Sequence, residues 1–205
     1  MTDHLNYLED RFVYLNILQP EFITCLGGCD AWSESDSIKF LTKAIKIVEK
    51  NQMEISFETH RGRTFFNPWV TERIVKRLPM LKLTCDFSHW AVVCEGMQET
   101  EQEIIKSLLA NAQHIHGRIG YDQGPQIPDP RTPLFKDDLE QYAEWWSWIW
   151  HQHDQQARKI TTLTPEFGGD RYEYFEPEAG KPLVDLDAIN QWIGDSVRQR
   201  FTQLN

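Results

Sequence analysis

No stretch of about 18 apolar residues occurs in the 205-residue chain, which excludes a membrane-spanning helix. Basic runs are also missing. The chain carries 21 Lys and Arg against 31 Asp and Glu, a formal net charge of −10. Without clustered cations to meet phosphates, nucleic acid is not expected as the main partner. The first residues, Met1-Thr2-Asp3-His4, include an early acid and no continuous apolar segment, which predicts no secretory leader and a cytoplasmic protein. Cysteine is sparse: Cys25, Cys29, Cys85 and Cys94 form no pair of CxxC knuckles, against a zinc ribbon, and without a leader they read as reduced thiols. There is no repeat at a solenoid period and no low-complexity tract. What is present is ordinary globular composition, 40% hydrophobic and 25% charged, at a length that suits a single domain over residues 1–205.

Along the chain, short β-like runs alternate with amphipathic helices. Leu5, Leu8, Phe12 and Leu15 fall on one helical face, and Pro20 ends that stretch. A strand follows over Glu21–Leu26, closed by Gly27-Gly28. The next helix carries Ile38, Leu41, Ile45 and Val48, with Ser35 or Asp36 as the expected N-cap and Asn51 at its end. Strands are predicted at Glu54–Glu58, Leu81–Asp86, Gln113–Arg118 and Ile160–Glu166. Helices are predicted around Val70–Leu78, around Ile104–Leu109, from Lys136 to Arg158 and through Ile189–Phe201. A Pro/Gly-rich loop over Gly120–Pro133 is long for a compact domain, and such loops are usually functional or disordered. Strict strand–helix alternation implies a parallel sheet with right-handed crossovers. Five strands are visible where a closed (β/α)8 barrel needs eight.

Polar residues gather at the C-terminal ends of the last four strands, where parallel α/β proteins build their sites. They are Glu58, Asp86 with His89, His116 with Arg118, and Glu166. A lone acid at a strand end is ordinarily a solvated charge or a helix cap. Three carboxylates and one imidazole at four successive strand ends instead suit one divalent cation, Mn²⁺, Mg²⁺, Co²⁺ or Zn²⁺, with little selection among them. His60, Arg61 and Arg63 follow Glu58 closely and either bind an anionic group of a substrate or pair with nearby acids. His114 lies two residues before His116; a regular strand puts both on one face, which sets His114 deeper in the interior. Asp30 and Trp32 follow the first strand and can line a pocket. His151 and His153 lack the i,i+4 spacing of helical ligand pairs, and the Trp145–Trp150 cluster reads as packing surface.

The strings Glu58-Thr59-His60-Arg61-Gly62-Arg63, Asp86-Phe87-Ser88-His89-Trp90, His114-Ile115-His116-Gly117-Arg118-Ile119-Gly120-Tyr121 and Thr164-Pro165-Glu166-Phe167-Gly168 resemble the sugar phosphate isomerase/epimerase family. That family belongs to the xylose-isomerase-like TIM barrels. The loop Gly124-Pro125-Gln126-Ile127-Pro128-Asp129-Pro130-Arg131 is similar to the loop after that family's seventh strand. The resemblance implies that Glu58, Asp86, His116 and Glu166 hold the metal, with Glu58 and Glu166 as acid and base through an enediolate. It implies that His89 and Arg118 contact substrate, with His60 and Arg63 as further substrate-binding candidates. Family members open with three more βα units, so the resemblance implies an incomplete barrel of about five. Its two unpaired edges favour a homo-oligomer. A sugar or sugar phosphate is the implied ligand, with neither nucleic acid nor membrane as partner. Two other readings stay open: a truncated, non-catalytic relative that binds metal or a partner, and a metal-dependent hydrolase like the endonuclease branch. The net charge speaks against the hydrolase.

Overall fold

A computed structural model describes residues 1–204. Its five strands, β1 (Ile23–Cys25), β2 (Ile55–Glu58), β3 (Leu83–Cys85), β4 (Ala112–Gly117) and β5 (Leu163–Pro165), form one sheet in chain order. Every neighbouring pair is parallel. The helices are α1 (Thr2–Leu18), α2 (Glu34–Lys50), α3 (Pro68–Arg77), α4 (Ser88–Val93), α5 (Glu99–Leu108), α6 (Lys136–Gln155) and α7 (Leu186–Leu204). The sheet curls as part of a barrel, so the fold is an incomplete TIM-barrel-like α/β structure of five βα units. Among the described residues, no helix is long and apolar enough to cross a membrane.

Local chemistry explains the helix boundaries. Ser33, rather than Ser35 or Asp36, caps α2: its hydroxyl accepts from the Asp36 amide at 3.1 Å. Asp36 lies inside the first turn, where a negative charge suits the helix N-terminus. Asn67 caps α3 through the Val70 amide at 2.8 Å, with Pro68 at the first helical position. Glu101 reaches back to the Gln98 amide at 3.0 Å and closes the start of α5. The predicted helix to Arg158 ends instead at Gln155, because Ala157 turns left-handed at φ 53°. Helix α4 has only six residues, too few for a periodic apolar pattern, so the sequence alone shows no element there.

The two faces of the sheet differ in chemistry. Phe57, Leu83, Cys85 and Ile115 are buried; Phe57 meets Phe40 of α2 and Phe65 ring to ring, at 6.4 and 6.2 Å. Trp145 and Trp146 of α6 are fully buried in the same core, so the tryptophan cluster is packing, as its spacing indicates. The opposite, concave face is a hydroxyl and imidazole layer. Thr84 Oγ1 lies 3.0 Å from Thr24 Oγ1 and 2.7 Å from Ser56 Oγ. His114 bonds Thr162 at 2.7 Å and Thr164 at 3.0 Å through its two ring nitrogens. A closed barrel usually fills this space with branched apolar side chains. Small hydroxyl residues there suit a concave face that is open toward water at both edge strands, where Thr24 and Thr164 are exposed.

Candidate metal centre

The curl of the sheet carries four strand ends to one place. Glu58 closes β2, Asp86 follows β3, His116 lies near the end of β4 and Glu166 follows β5. Each offers one ligand atom, and the four atoms lie within 4.8 Å of one another. His116 Nδ1 is 2.7 Å from Glu166 Oε2 and 3.6 Å from Glu58 Oε1. Despite that proximity, His116 Nδ1, Glu166 Oε2 and Asp86 Oδ2 are buried without an aligned hydrogen bond among the described residues. Buried polar atoms are normally paired. Three unpaired donors and acceptors converging beside Glu58 fit a shared cation, and oxygen ligands with one imidazole suit the divalent ions expected above.

The charges are held in tension. Burial raises the Asp86 carboxyl to about 7, reinforced by the nearby Glu166 and Glu58 and opposed by Arg118 and Ser88. Burial also works against a charge on His116, but the Glu166 and Glu58 carboxylates override it and hold the imidazole up to about 10. Glu166 experiences burial in the opposite sense; His116, then Arg118 and His60, keep it below the usual carboxylate range. A divalent cation among these groups would replace the proton on His116 as the positive partner of the carboxylates.

Several supports hold the candidate ligands in place. Asp86 Oδ1 accepts from the Ser88 amide at 2.9 Å and from its hydroxyl at 2.5 Å, which turns Oδ2 toward the cluster. Thr59 Oγ1 accepts from the Asp86 amide and donates to the Asp86 carbonyl, both at 2.8 Å, tying the ends of β2 and β3 together. Asn190 of α7 makes paired bonds to the Phe167 amide and carbonyl, at 2.8 and 2.9 Å, next to Glu166. Gln126 joins the Pro-rich loop to the segment after β5 through Gly168, at 2.9 and 3.1 Å. That loop starts at Gly120, where a Cβ would lie 2.9 Å from the Ser88 carbonyl oxygen, so the backbone passes close to the start of α4. We expect Thr59→Val to cost about 1–3 kcal/mol in stability through its lost buried bonds. Loosening Asp86 should also weaken divalent-ion binding about 10–100-fold, measured by titration calorimetry.

The other predicted residues take distinct places. Arg118 stretches across the cluster: Nε donates to the Glu166 carbonyl at 2.9 Å, and Nη2 pairs with Glu166 Oε1 at 3.2 Å. Its guanidinium lies 4.8 Å from the centre of the Tyr172 ring. His89 is fully buried beneath His60, with ring centres 3.7 Å apart. Burial, with the neighbouring His60 and Arg118, pushes it down to about 2, so it is neutral. Arg63 lines a cavity of about 660 Å³ between α1 and β1, with His4, Tyr7 and Thr24, and its charge reaches His60. Trp32 packs edge-on against His4 and Phe40 and does not line the cluster; Asp30 is exposed beside Cys29. His114 shares the concave face with His116, their rings 5.4 Å apart, which places it deeper in the interior as parity requires.

No family model matches the chain, and no curated protein matches it. Among solved structures, it is similar to the crystal structure of the probable 3-DHS dehydratase AsbF involved in petrobactin synthesis from Bacillus anthracis. The TM-score is 0.52 at 14% identity, over 82% of this chain. What the two share is the fold. This chain spans 65% of the neighbour's length. The strand-end cluster therefore sits on a barrel wall of known type, at the end where such barrels carry their sites.

Proposed function

We propose that the chain is a divalent-metal-dependent isomerase or epimerase acting on a sugar or sugar phosphate. The observation that carries this reading is the convergence of Glu58, Asp86, His116 and Glu166 from four strands within 4.8 Å. A divalent ion held by them would polarise a substrate carbonyl and favour charge on its oxygen. The residues of the chain would supply the proton chemistry. Glu58 and Glu166 approach His116 from the two strands that flank the cluster. The Glu166 side chain is 32% exposed against 7% for Glu58, so Glu166 faces the open side where substrate arrives. One carboxylate would take a proton from the carbon beside the carbonyl, giving an enediolate, and the other would return it. Return to the same carbon from the opposite face epimerises; return to the neighbouring carbon isomerises. Arg118, already paired with Glu166, would face the developing negative charge. His60 and Arg63 would meet a phosphate or carboxylate of the substrate, and His89 would support His60 from below.

Residues 1–205 would act as one domain, and the open edges of β1 and β5 favour a homo-oligomer. The test is solvent deuterium incorporation into ketoses, ketose phosphates and hydroxy-keto acids, with Mn²⁺, Co²⁺, Mg²⁺ or Zn²⁺ supplied. The expected result is metal-dependent exchange at the carbon beside the carbonyl, falling by about 10²–10⁴ in Glu166→Gln with KM little changed. AsbF is a probable dehydratase, and loss of water beside a carbonyl can begin with the same proton removal; an unsaturated product would direct the assignment there. A second reading is a cation-binding relative without turnover, for which the same four strand-end residues would suffice. Metal binding with no exchange on any substrate would support it.

A further inference from the structure

A cavity of about 620 Å³ lies at the end of the sheet where β4 and β5 begin, opposite the strand-end cluster. It opens between the end of α5, the last turns of α6, the segment that leads into β5, and Phe201 of α7. Lys106, Arg158 and Lys159 line it against a single acid, Asp154, in a chain whose net charge is −10. Arg158 is half-buried, and its guanidinium meets only neutral groups. Nη1 lies 3.1 Å from the Ala112 carbonyl and 2.8 Å from His153 Nε2, and Nη2 lies 3.4 Å from the Gln113 carbonyl. Burial lowers His153 and keeps it neutral at pH 7. Burial also holds Arg158 below its ordinary value; Glu54 opposes this from a distance, and among the described residues Arg158 and Lys159 form no ion pair. A partly buried cation without a counter-ion is costly, and a bound anion would offset that cost. The walls are aromatic. Lys106 Nζ stands 4.8 Å from the centre of the Trp148 ring, and Trp150 lies edge-on to Phe201 with ring centres 5.6 Å apart.

We propose that this cavity binds a phosphate monoester carried on an aromatic group, of the size of a nucleoside monophosphate. Three cations around one anion suit a phosphate dianion better than a lone carboxylate, with the Arg158 fork and two lysine ammonium groups as donors. The tryptophan faces would take the flat ring by stacking, which tolerates any base. A volume of about 620 Å³ falls within the range of cavities that enclose ligands of this size. Arg158 grips the first residues of β4, whereas His116 sits near the other end of that strand. The site is therefore independent of the strand-end cluster and of the reaction assigned to it.

The experiment is calorimetric titration of the full chain with adenosine monophosphate, inorganic phosphate and adenosine in turn. Stripping the chain with chelator first keeps phosphate from binding through a metal at the strand ends. The expected result is saturable binding of about one adenosine monophosphate per chain, at least about tenfold tighter than phosphate or adenosine alone. Arg158→Gln should weaken it about 10–100-fold. Lys106 and Lys159 are exposed, so a double Lys106→Ala, Lys159→Ala variant should melt like the wild type and bind about tenfold more weakly. Absence of binding at millimolar nucleotide would overturn the proposal. Unchanged affinity in the double lysine variant would also overturn it, since the nucleotide would then sit elsewhere. Equal affinity for inorganic phosphate or for adenosine would overturn the ligand class.

Discussion

Asp86→Asn should yield a metal-free protein at least as stable as the wild type at pH 8, and one that no longer binds a divalent ion. Asp86 is fully buried, and burial with two neighbouring carboxylates raises it to about 7. The folded chain therefore keeps a proton that the unfolded chain releases near the ordinary carboxylate value of about 3.9. As pH climbs from about 4 to about 7, folding stability falls, and above that range the full cost of the ionised carboxylate remains. Asparagine removes the charge and keeps an oxygen for the Ser88 amide and hydroxyl, so the gain should be about 1–3 kcal/mol at pH 8. The same change takes an anionic ligand from the centre, and divalent-ion affinity should fall by well over the roughly 100-fold seen for outer supports. Thermal melts with and without Mn²⁺ measure both effects. A variant less stable than wild type without metal, or one still stabilised by Mn²⁺, would contradict this account of Asp86.

Divalent-ion affinity should rise steeply with pH. Binding requires His116 to lose the proton that Glu166 and Glu58 hold on it up to about 10, and Asp86 to ionise at about 7. Between pH 7 and 10 one proton is displaced per ion, so Kd should fall by about tenfold per unit; below pH 7 a second proton is displaced and the fall approaches about 100-fold per unit. In the metal-free protein the sign is opposite for stability. The His116–carboxylate attraction raises its pKa, so that contribution is complete below about 6.5 and is lost as pH rises toward 10. Calorimetric titration with Mn²⁺ in buffers of different ionisation enthalpy gives the proton count directly. A pH-independent Kd over pH 6–8.5 would mean that His116 does not give up a proton to the ion.

The alternation of strands and helices, and the four strand-end candidates that the fold brings together, were legible because each rests on local sequence. A parallel strand ends at a carboxylate or imidazole, and the register carries that residue to the rim. The supports were not legible. Thr59 and Asp86 are 27 positions apart, Gln126 and Gly168 are 42 apart, and Phe167 and Asn190 are 23 apart. Only the fold brings these pairs together, and nothing local in the sequence shows which residues will meet. Ser33 displaced Ser35 and Asp36 as the α2 cap because three polar residues within four positions offer the same cue, and the extended backbone at Ser33 decides among them. The burial of His89 under His60 was equally invisible, since α4 is too short to show which way its first turn faces. The polar concave face does leave a trace: Ser56, Thr84, His114 and Thr164 occupy alternate positions with Phe57, Leu83, Ile115 and Leu163. Strands of three to six residues give that alternation too few repeats to stand out.

Mn²⁺ content of the chelator-stripped and reloaded wild-type chain, measured beside Glu166→Gln, tests most directly whether the strand ends form a metal centre. The expected result is about one Mn²⁺ per wild-type chain and essentially none in the variant. A wild-type chain that retains no Mn²⁺, Co²⁺ or Zn²⁺ at micromolar free metal would contradict the account, and the convergence of Glu58, Asp86, His116 and Glu166 would then be an ion-pair network around a protonated His116.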